Sequence, residues 1–234
     1  MASRRYFRGA KGDYGDVRFH PNTQTIMKLP GKKIGILIEG DFYENEIFYY
    51  NFRFPEEGAE VHFLSRLWGQ SSLTFQGHEL KAPWPCQESF ESIDDEELAT
   101  YSAIIVPSGM VADRLRYTED LGKLPPAAEF LRRAFAQPQI LKGIICHGLW
   151  LAAPVRDVVR GRRLVCHNNL HGDALAYGAE FVDEDVVVDG DLVTARSGNH
   201  CHLFARKIIE ILSERADATD SLSVAEQLLS AAAR

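Results

Sequence analysis

The chain has 234 residues, 45% of them hydrophobic and 25% charged, with a formal net charge of −7, the balance of an ordinary globular protein. Binding a nucleic-acid backbone needs clustered Lys and Arg, so nucleic acid is not expected as a partner; the short cluster Arg160, Arg162 and Arg163 reads as a solvated turn before a strand. No apolar run suggests a membrane span, the N-terminal MASRRYFRGAKGDYGD lacks a secretory apolar core, and four scattered cysteines without a C-x-x-C pair suggest neither a disulfide framework nor a zinc ribbon. A reducing cytoplasm is the expected compartment.

Residues 1–31 are polar, rich in glycine and aromatics, and show no clear period, so an N-terminal extension or arm is expected. KKIGILIEG (32–40) has the pattern of a buried strand. NEIFYYNFRFPEEG reads as a helix with apolar Ile47, Phe48, Phe52 and Phe54 and a stop at Gly58, and AEVHFLS as the next strand. This β-α-β order implies a parallel sheet with right-handed crossovers. SLTFQGHELKA suggests a hairpin turning at Gly77-His78. SIDDEELATY is a short acidic helix capped by Asp94, its carboxylates complementing the dipole rather than forming an acid–base pair.

SAIIVPSG is a further buried strand, PPAAEFLRRAFAQ a helix with Pro near its start, and KGIIC a strand followed by a helix over 148–153. RRLVCH is a strand, GDALAYG a helix, and DEDVVVDGDLVTARSG a hairpin around Asp189-Gly190. HLFARKIIEILSE is an amphipathic helix, with a separate helical tail expected over 215–234. Residues 32–214 thus form one doubly wound α/β domain, a mostly parallel sheet between helices. Ligands bind such sheets at the carboxyl ends of the strands, where residues 39–46, 108–113 and 146–147 converge.

The stretch LKGIICHGLWLAAP places Cys146 and His147 at the seam between a buried strand and a helix. A nucleophile there is lifted above the sheet on a tight bend, facing free N–H groups of the following turn. Those groups and an adjacent imidazole stabilise a thiolate, so a lowered thiol pKa is expected. The alternative is an inert, buried core cysteine; the strand–Cys-His-Gly–helix context favours function.

GIICHGLWLAA resembles the nucleophile elbow of the ThiJ/PfpI superfamily, which has a flavodoxin-like, class I glutamine amidotransferase-like fold. VPSGMVADRLR (106–116) is similar to that family's Pro-Gly-Gly turn, and 161–198 to its closing segment. The resemblance covers about 32–214. It implies that Cys146 is the nucleophile, that His147 is its neighbouring base, and that Gly109 and His147 supply the oxyanion-hole N–H groups. In the PfpI-like branch a neighbouring subunit donates an acidic residue to the histidine; the matching position is Asp113, which implies a homodimer or larger assembly. A carboxylate that bonds the thiol comes from the first strand-to-helix loop and matches Glu44 if one residue is deleted; without that gap Tyr43 takes the place. Two positions depart from the family pattern: Ser108 replaces a glycine, and Ile144 stands where a small residue is common.

CHNNLHGD and SGNHCHLF bring His and Cys together, but their spacing matches no standard zinc motif; no metal and no cofactor are expected. Ser108, His167 and His200 are instead expected to shape the substrate pocket. The resemblance implies glyoxalase- or deglycase-type chemistry on small reactive carbonyls. Peptidase or amidase, isonitrile-hydratase-like or lyase activity would use the same parts, and a non-catalytic redox sensor or chaperone is the reading of another class.

Overall fold

The computed structural model describes residues 27–232. In chain order they form β1 (Lys33–Leu37), α1 (Glu44–Glu56), β2 (Glu60–Ser65), β3 (Leu73–Gln76), β4 (Pro83–Cys86), β5 (Glu88–Ser89), α2 (Asp95–Leu98), β6 (Tyr101–Val106), α3 (Val111–Leu115) and α4 (Pro126–Phe135). Then come β7 (Leu141–Ile145), a 3₁₀ segment (Cys146–Val158), β8 (Arg163–Leu164), α5 (His171–Ala176), β9 (Glu180–Phe181), β10 (Val186–Asp189), β11 (Leu192–Ala195) and α6 (Cys201–Ala232). Seven strands build the central sheet in the order β10-β11-β7-β6-β1-β2-β5. Its pairings are parallel except at the β10–β11 edge, so the doubly wound α/β fold expected from the alternation of elements is present.

The central strands are apolar runs because both faces are covered: Ile34 and Ile36 of β1, Ile104 and Ile105 of β6, and Ile144 and Ile145 of β7 are all buried. Helix α1 contributes Ile47, Tyr50 and Phe54, spaced to share one face, and Tyr50 stacks on Phe204 of α6 at 6.2 Å between ring centroids. Each such side chain stabilises the fold by roughly 1.5–3 kcal/mol. Chain order reverses between β1 and β6, which places the crevice of the switch point over the carboxyl ends of β1, β6 and β7.

Several local expectations are corrected. The hairpin does not turn at Gly77-His78: β3 pairs with β4, and residues 77–82 form a loop. Its backbone N–H groups at Glu79 and Leu80 are held by the Glu44 carboxylate and so cannot join a ladder. The helix expected over 148–153 is a longer 3₁₀ segment containing Pro154. It presses against β6, since a Cβ on Gly148 would lie 2.7 Å from the Val106 carbonyl oxygen. RRLVCH forms only the short β8. Phe52 is 72% exposed rather than core, being out of phase with Ile47, Tyr50 and Phe54. Leu29, assigned to the N-terminal arm, is fully buried, and its N–H donates to the Glu57 carbonyl; the rest of the arm, 1–26, lies outside the described residues. Helix α6 runs without a break through the boundary drawn at 214/215.

Candidate active site

Strand β7 is buried along its whole length and ends at Ile145. The next residue, Cys146, has φ +60°. For a non-glycine residue this left-handed backbone costs about 1–2 kcal/mol, which the packing on either side must offset. The bend lifts the thiol out of the sheet into a cleft of about 380 Å³. Cys146 is 7% exposed, and its Sγ lies 3.2 Å from His147 Nδ1.

Burial pushes the Cys146 thiol up to about 11, against the pull of the Gly198 and His147 backbone N–H groups, and the charge of Glu46 adds to the rise. The lowered thiol pKa expected from the strand-to-turn context is therefore not what this environment produces: desolvation outweighs the two N–H groups. Burial also lowers the His147 pKa, helped by the charge of His167, so the imidazole is neutral and able to accept a proton. It is wedged between His167, 4.6 Å away between centroids, and Trp150, at 4.9 Å. The His167 Nδ1 accepts the Asn169 N–H, so a neutral His167 carries its proton on Nε2.

The carboxylate whose charge reaches the thiol is Glu46, not Glu44, although Glu46 lies behind Ser108 and does not line the cleft. Glu46 Oε2 accepts the Ser108 backbone N–H at 2.9 Å and the Ser108 hydroxyl in a short bond. Glu46 is fully buried, and burial raises its pKa to about 7 against those two bonds. Its Oε1 and the buried Tyr50 hydroxyl lack a well-formed hydrogen bond among the described residues, yet they lie close enough for the Glu46 charge to push the tyrosine further up. Glu44 faces the other way. Its carboxylate accepts the N–H groups of Glu79 (3.1 Å) and Leu80 (2.7 Å) and rests on Gly77, where any Cβ would collide with it. Burial raises the Glu44 pKa, but the backbone N–H groups outweigh it and leave a net lowering. Tyr43, the alternative match, lines the cleft as a phenol whose hydroxyl donates to Asn199 Oδ1 at 2.8 Å.

Ser108, Gly109 and His167 line the cleft. Gly109, at φ +79°, brings β6's turn against the 41–43 loop, with room for a Cβ denied by the Asp41 carbonyl at 2.5 Å. Ser108's own N–H is taken by Glu46, and the His147 N–H faces the Cys146 sulfur. His200 does not face the cleft: Ser197 Oγ holds its Nδ1 at 2.8 Å, and its Nε2 points at Asp185, 3.4 Å away. Asp113 is also outside the cleft, paired with Arg116 at 2.7 Å within the chain. The four cysteines are free thiols, and no group of three or more potential metal ligands converges among the described residues.

Sequence reasoning missed Glu46, Gly198, His78 and Glu79. For Glu46 a signal existed: it stands four residues before Tyr50 and eight before Phe54, on the inward stripe of α1. For Gly198 the signal was only its being glycine; a Cβ there would collide with the Tyr43 ring and lie 2.7 Å from Ser108 Oγ.

The profile of the DJ-1/PfpI family matches residues 32–211. The chain is 31% identical over 182 residues to protein/nucleic acid deglycase 2 of Escherichia coli, covering 77% of this chain and 98% of that protein. It is 27% identical over 181 residues to a deglycase of Pyrococcus horikoshii, covering 77% and 99%. Among solved structures, a two-domain protein of Anabaena variabilis with DJ-1/ThiJ/PfpI-like and ferritin-like domains superposes with a TM-score of 0.68 at 24% identity, over 77% of this chain and 48% of that one. Schizosaccharomyces pombe DJ-1 gives 0.63 at 17% identity, over 80% and 97%.

Proposed function

The chain belongs to the DJ-1/PfpI family, and from that premise we propose that it is a cysteine-dependent enzyme of deglycase or glyoxalase type, acting on small reactive carbonyls without a cofactor. The observation that carries this reading is Cys146 on a left-handed bend at the end of β7, with His147 Nδ1 3.2 Å from its sulfur inside a cleft. Relatives named as deglycases, alike along most of their length, support it.

The thiol is protonated at neutral pH, so its proton must leave as the sulfur attacks. His147 is placed to take it. The Cys146 sulfur bonds to the aldehyde carbon of a 2-oxoaldehyde, and the oxygen gains negative charge opposite the Gly109 and His147 amides. Moving the proton of that carbon to the neighbouring carbon through an enediol gives a thioester of the 2-hydroxy acid, and water releases the acid and restores the thiol. The net change adds one water and needs no external oxidant. Glu46, with a pKa near 7, is suited to hold or give a proton at either stage. In deglycation the same attack displaces an amine or thiol from the adduct. The sensor reading is weaker here, because it needs a standing thiolate and burial pushes the thiol to about 11.

We further propose a cytoplasmic protein that assembles as a homodimer or larger, Asp113 of one subunit orienting His147 of the next. The decisive assay follows methylglyoxal loss and lactate formation by the wild type and Cys146→Ser, with and without chelator. Turnover that the serine variant lacks and the chelator spares supports the reading; a wild type without turnover, its Cys146 shown reactive, overturns it. Mixing Cys146→Ser with Asp113→Asn subunits tests the assembly, since hybrids would regain an intact site.

A further inference from the structure

The loop over 77–82 is built into the site rather than hung beside it. The Asp41 N–H donates to the Gln76 carbonyl, the His78 N–H to that of Phe42, and the Gly77 N–H to that of Ala82. The buried Glu44 carboxylate then fixes the N–H groups of Glu79 and Leu80. The consequence is that His78 and Glu79 line the mouth of the cleft that holds Cys146. Among the described residues, the Glu79 carboxylate has no hydrogen bond or ion pair, and none of the side chains lining the cleft is Lys or Arg. Lys81 of the same loop and Arg114 are both turned to Asp41, so neither neutralises Glu79.

We infer that Glu79 is a specificity-determining residue, a charge filter that favours carbonyl compounds bearing an ammonium or guanidinium group near the reacting carbon and disfavours anionic ones. Glu44 is its positioning residue. As a statement about substrates this rests on the carbonyl-enzyme reading; as a statement about the field in the cleft it does not. A single carboxylate at a half-enclosed mouth attracts a cation and repels an anion by comparable amounts, and salt screens both.

The test uses the full chain and three thiol reagents: the cationic trimethylammonioethyl and the anionic sulfonatoethyl methanethiosulfonates, which are of similar size, and the smaller, neutral methyl methanethiosulfonate as an uncharged reference. In each, the Cys146 sulfur bonds to the reagent's sulfenyl sulfur, methanesulfinate leaves, and a mixed disulfide remains. Labelling rates at Cys146 are read by peptide mass spectrometry, with Cys146→Ser as the site control. At about 10 mM ionic strength the cationic-to-anionic rate ratio should fall roughly threefold in Glu79→Gln and about tenfold in Glu79→Lys, and the differences should shrink at 0.15 M salt, about physiological. Glu44→Gln should lower the ratio in the wild-type background but not in Glu79→Gln, a dependence that a general loss of stability would not produce. A ratio that is the same in wild type, Glu79→Gln and Glu79→Lys overturns the inference. So does a Cys146 that none of the reagents reaches in the native protein but that labels once the chain is denatured. A ratio that responds to Glu79 in a protein without methylglyoxal turnover would sink the enzyme reading and leave the filter standing.

Discussion

Glu46→Gln should make the protein more stable above neutral pH while impairing its chemistry. Glu46 is fully buried, and burial raises its pKa from 4.5 to about 7. Between those values the folded protein keeps a proton that the unfolded chain has released. Folding therefore takes up a proton, and stability falls as pH rises through this window, then levels off above about 7. The shift amounts to about 3 kcal/mol. A glutamine does not titrate. Both Ser108 bonds go to one carboxylate oxygen, so an amide oxygen can receive both, and its NH₂ would face the buried Tyr50 hydroxyl, which lies beside Glu46 without a well-formed hydrogen bond. The shift is already net of the Ser108 bonds, so the variant should be roughly 3 kcal/mol more stable than wild type near pH 7.5, with the difference fading towards pH 4.5, where the folded Glu46 is itself neutral. Urea unfolding of both proteins at closely spaced pH values measures the difference, in which all other titrations cancel to first order. Parallel stability curves, with a constant offset across the window, would refute the reasoning. The same variant should lose about a hundredfold in kcat/KM for methylglyoxal, the lower end of what a positioned proton donor contributes.

The left-handed backbone at Cys146 predicts that Cys146→Gly is more stable than Cys146→Ala by about 1 kcal/mol in urea unfolding; an alanine variant as stable as the glycine one would show that the bend stores no strain. Gly198→Ala should slow alkylation of Cys146 by neutral iodoacetamide several-fold, because the added Cβ meets Tyr43 and Ser108 and displaces the N–H that faces the sulfur; an unchanged rate would contradict that contact. Lys142 is fully buried and paired with Asp191, which also receives Arg162 at 2.8 Å. Asp191→Ala leaves that ammonium without its ion-pair partner and should destabilise by about 3 kcal/mol, whereas replacing Lys142 by Met in the same chain should recover most of the loss. A loss below about 0.5 kcal/mol in the single variant would mean that the Gln137 carbonyl, 3.2 Å from Nζ, suffices.

Much of this protein was legible in its sequence because the signals are local and periodic. Continuous apolar runs such as 34–38 and 103–106 occur where a strand is covered on both faces, and their alternation with helical segments leaves a parallel sheet as the economical arrangement. The position of Cys146 followed from the same logic, since a residue between a buried strand and a glycine-containing turn must stand at the sheet's carboxyl edge. The choice between Glu44 and Glu46 was not local. Two residues apart on a helix, they point about 200° from each other, so one reaches Ser108 behind the cleft and the other must face the 77–82 loop. Which is which depends on how α1 is rotated against the sheet, and that rotation is fixed by Ile47, Tyr50 and Phe54 packing on the sheet and α6. The sign of the Cys146 pKa shift was likewise beyond the sequence. Nearby N–H groups lower it and desolvation raises it, and only the packed surroundings decide how much water is excluded and therefore which effect wins. His200 and Glu79 make the same point from opposite sides: a histidine expected at the pocket is drawn off by Ser197 and Asp185, while a glutamate from a distant loop is brought to the cleft by a carboxylate it follows by 35 residues.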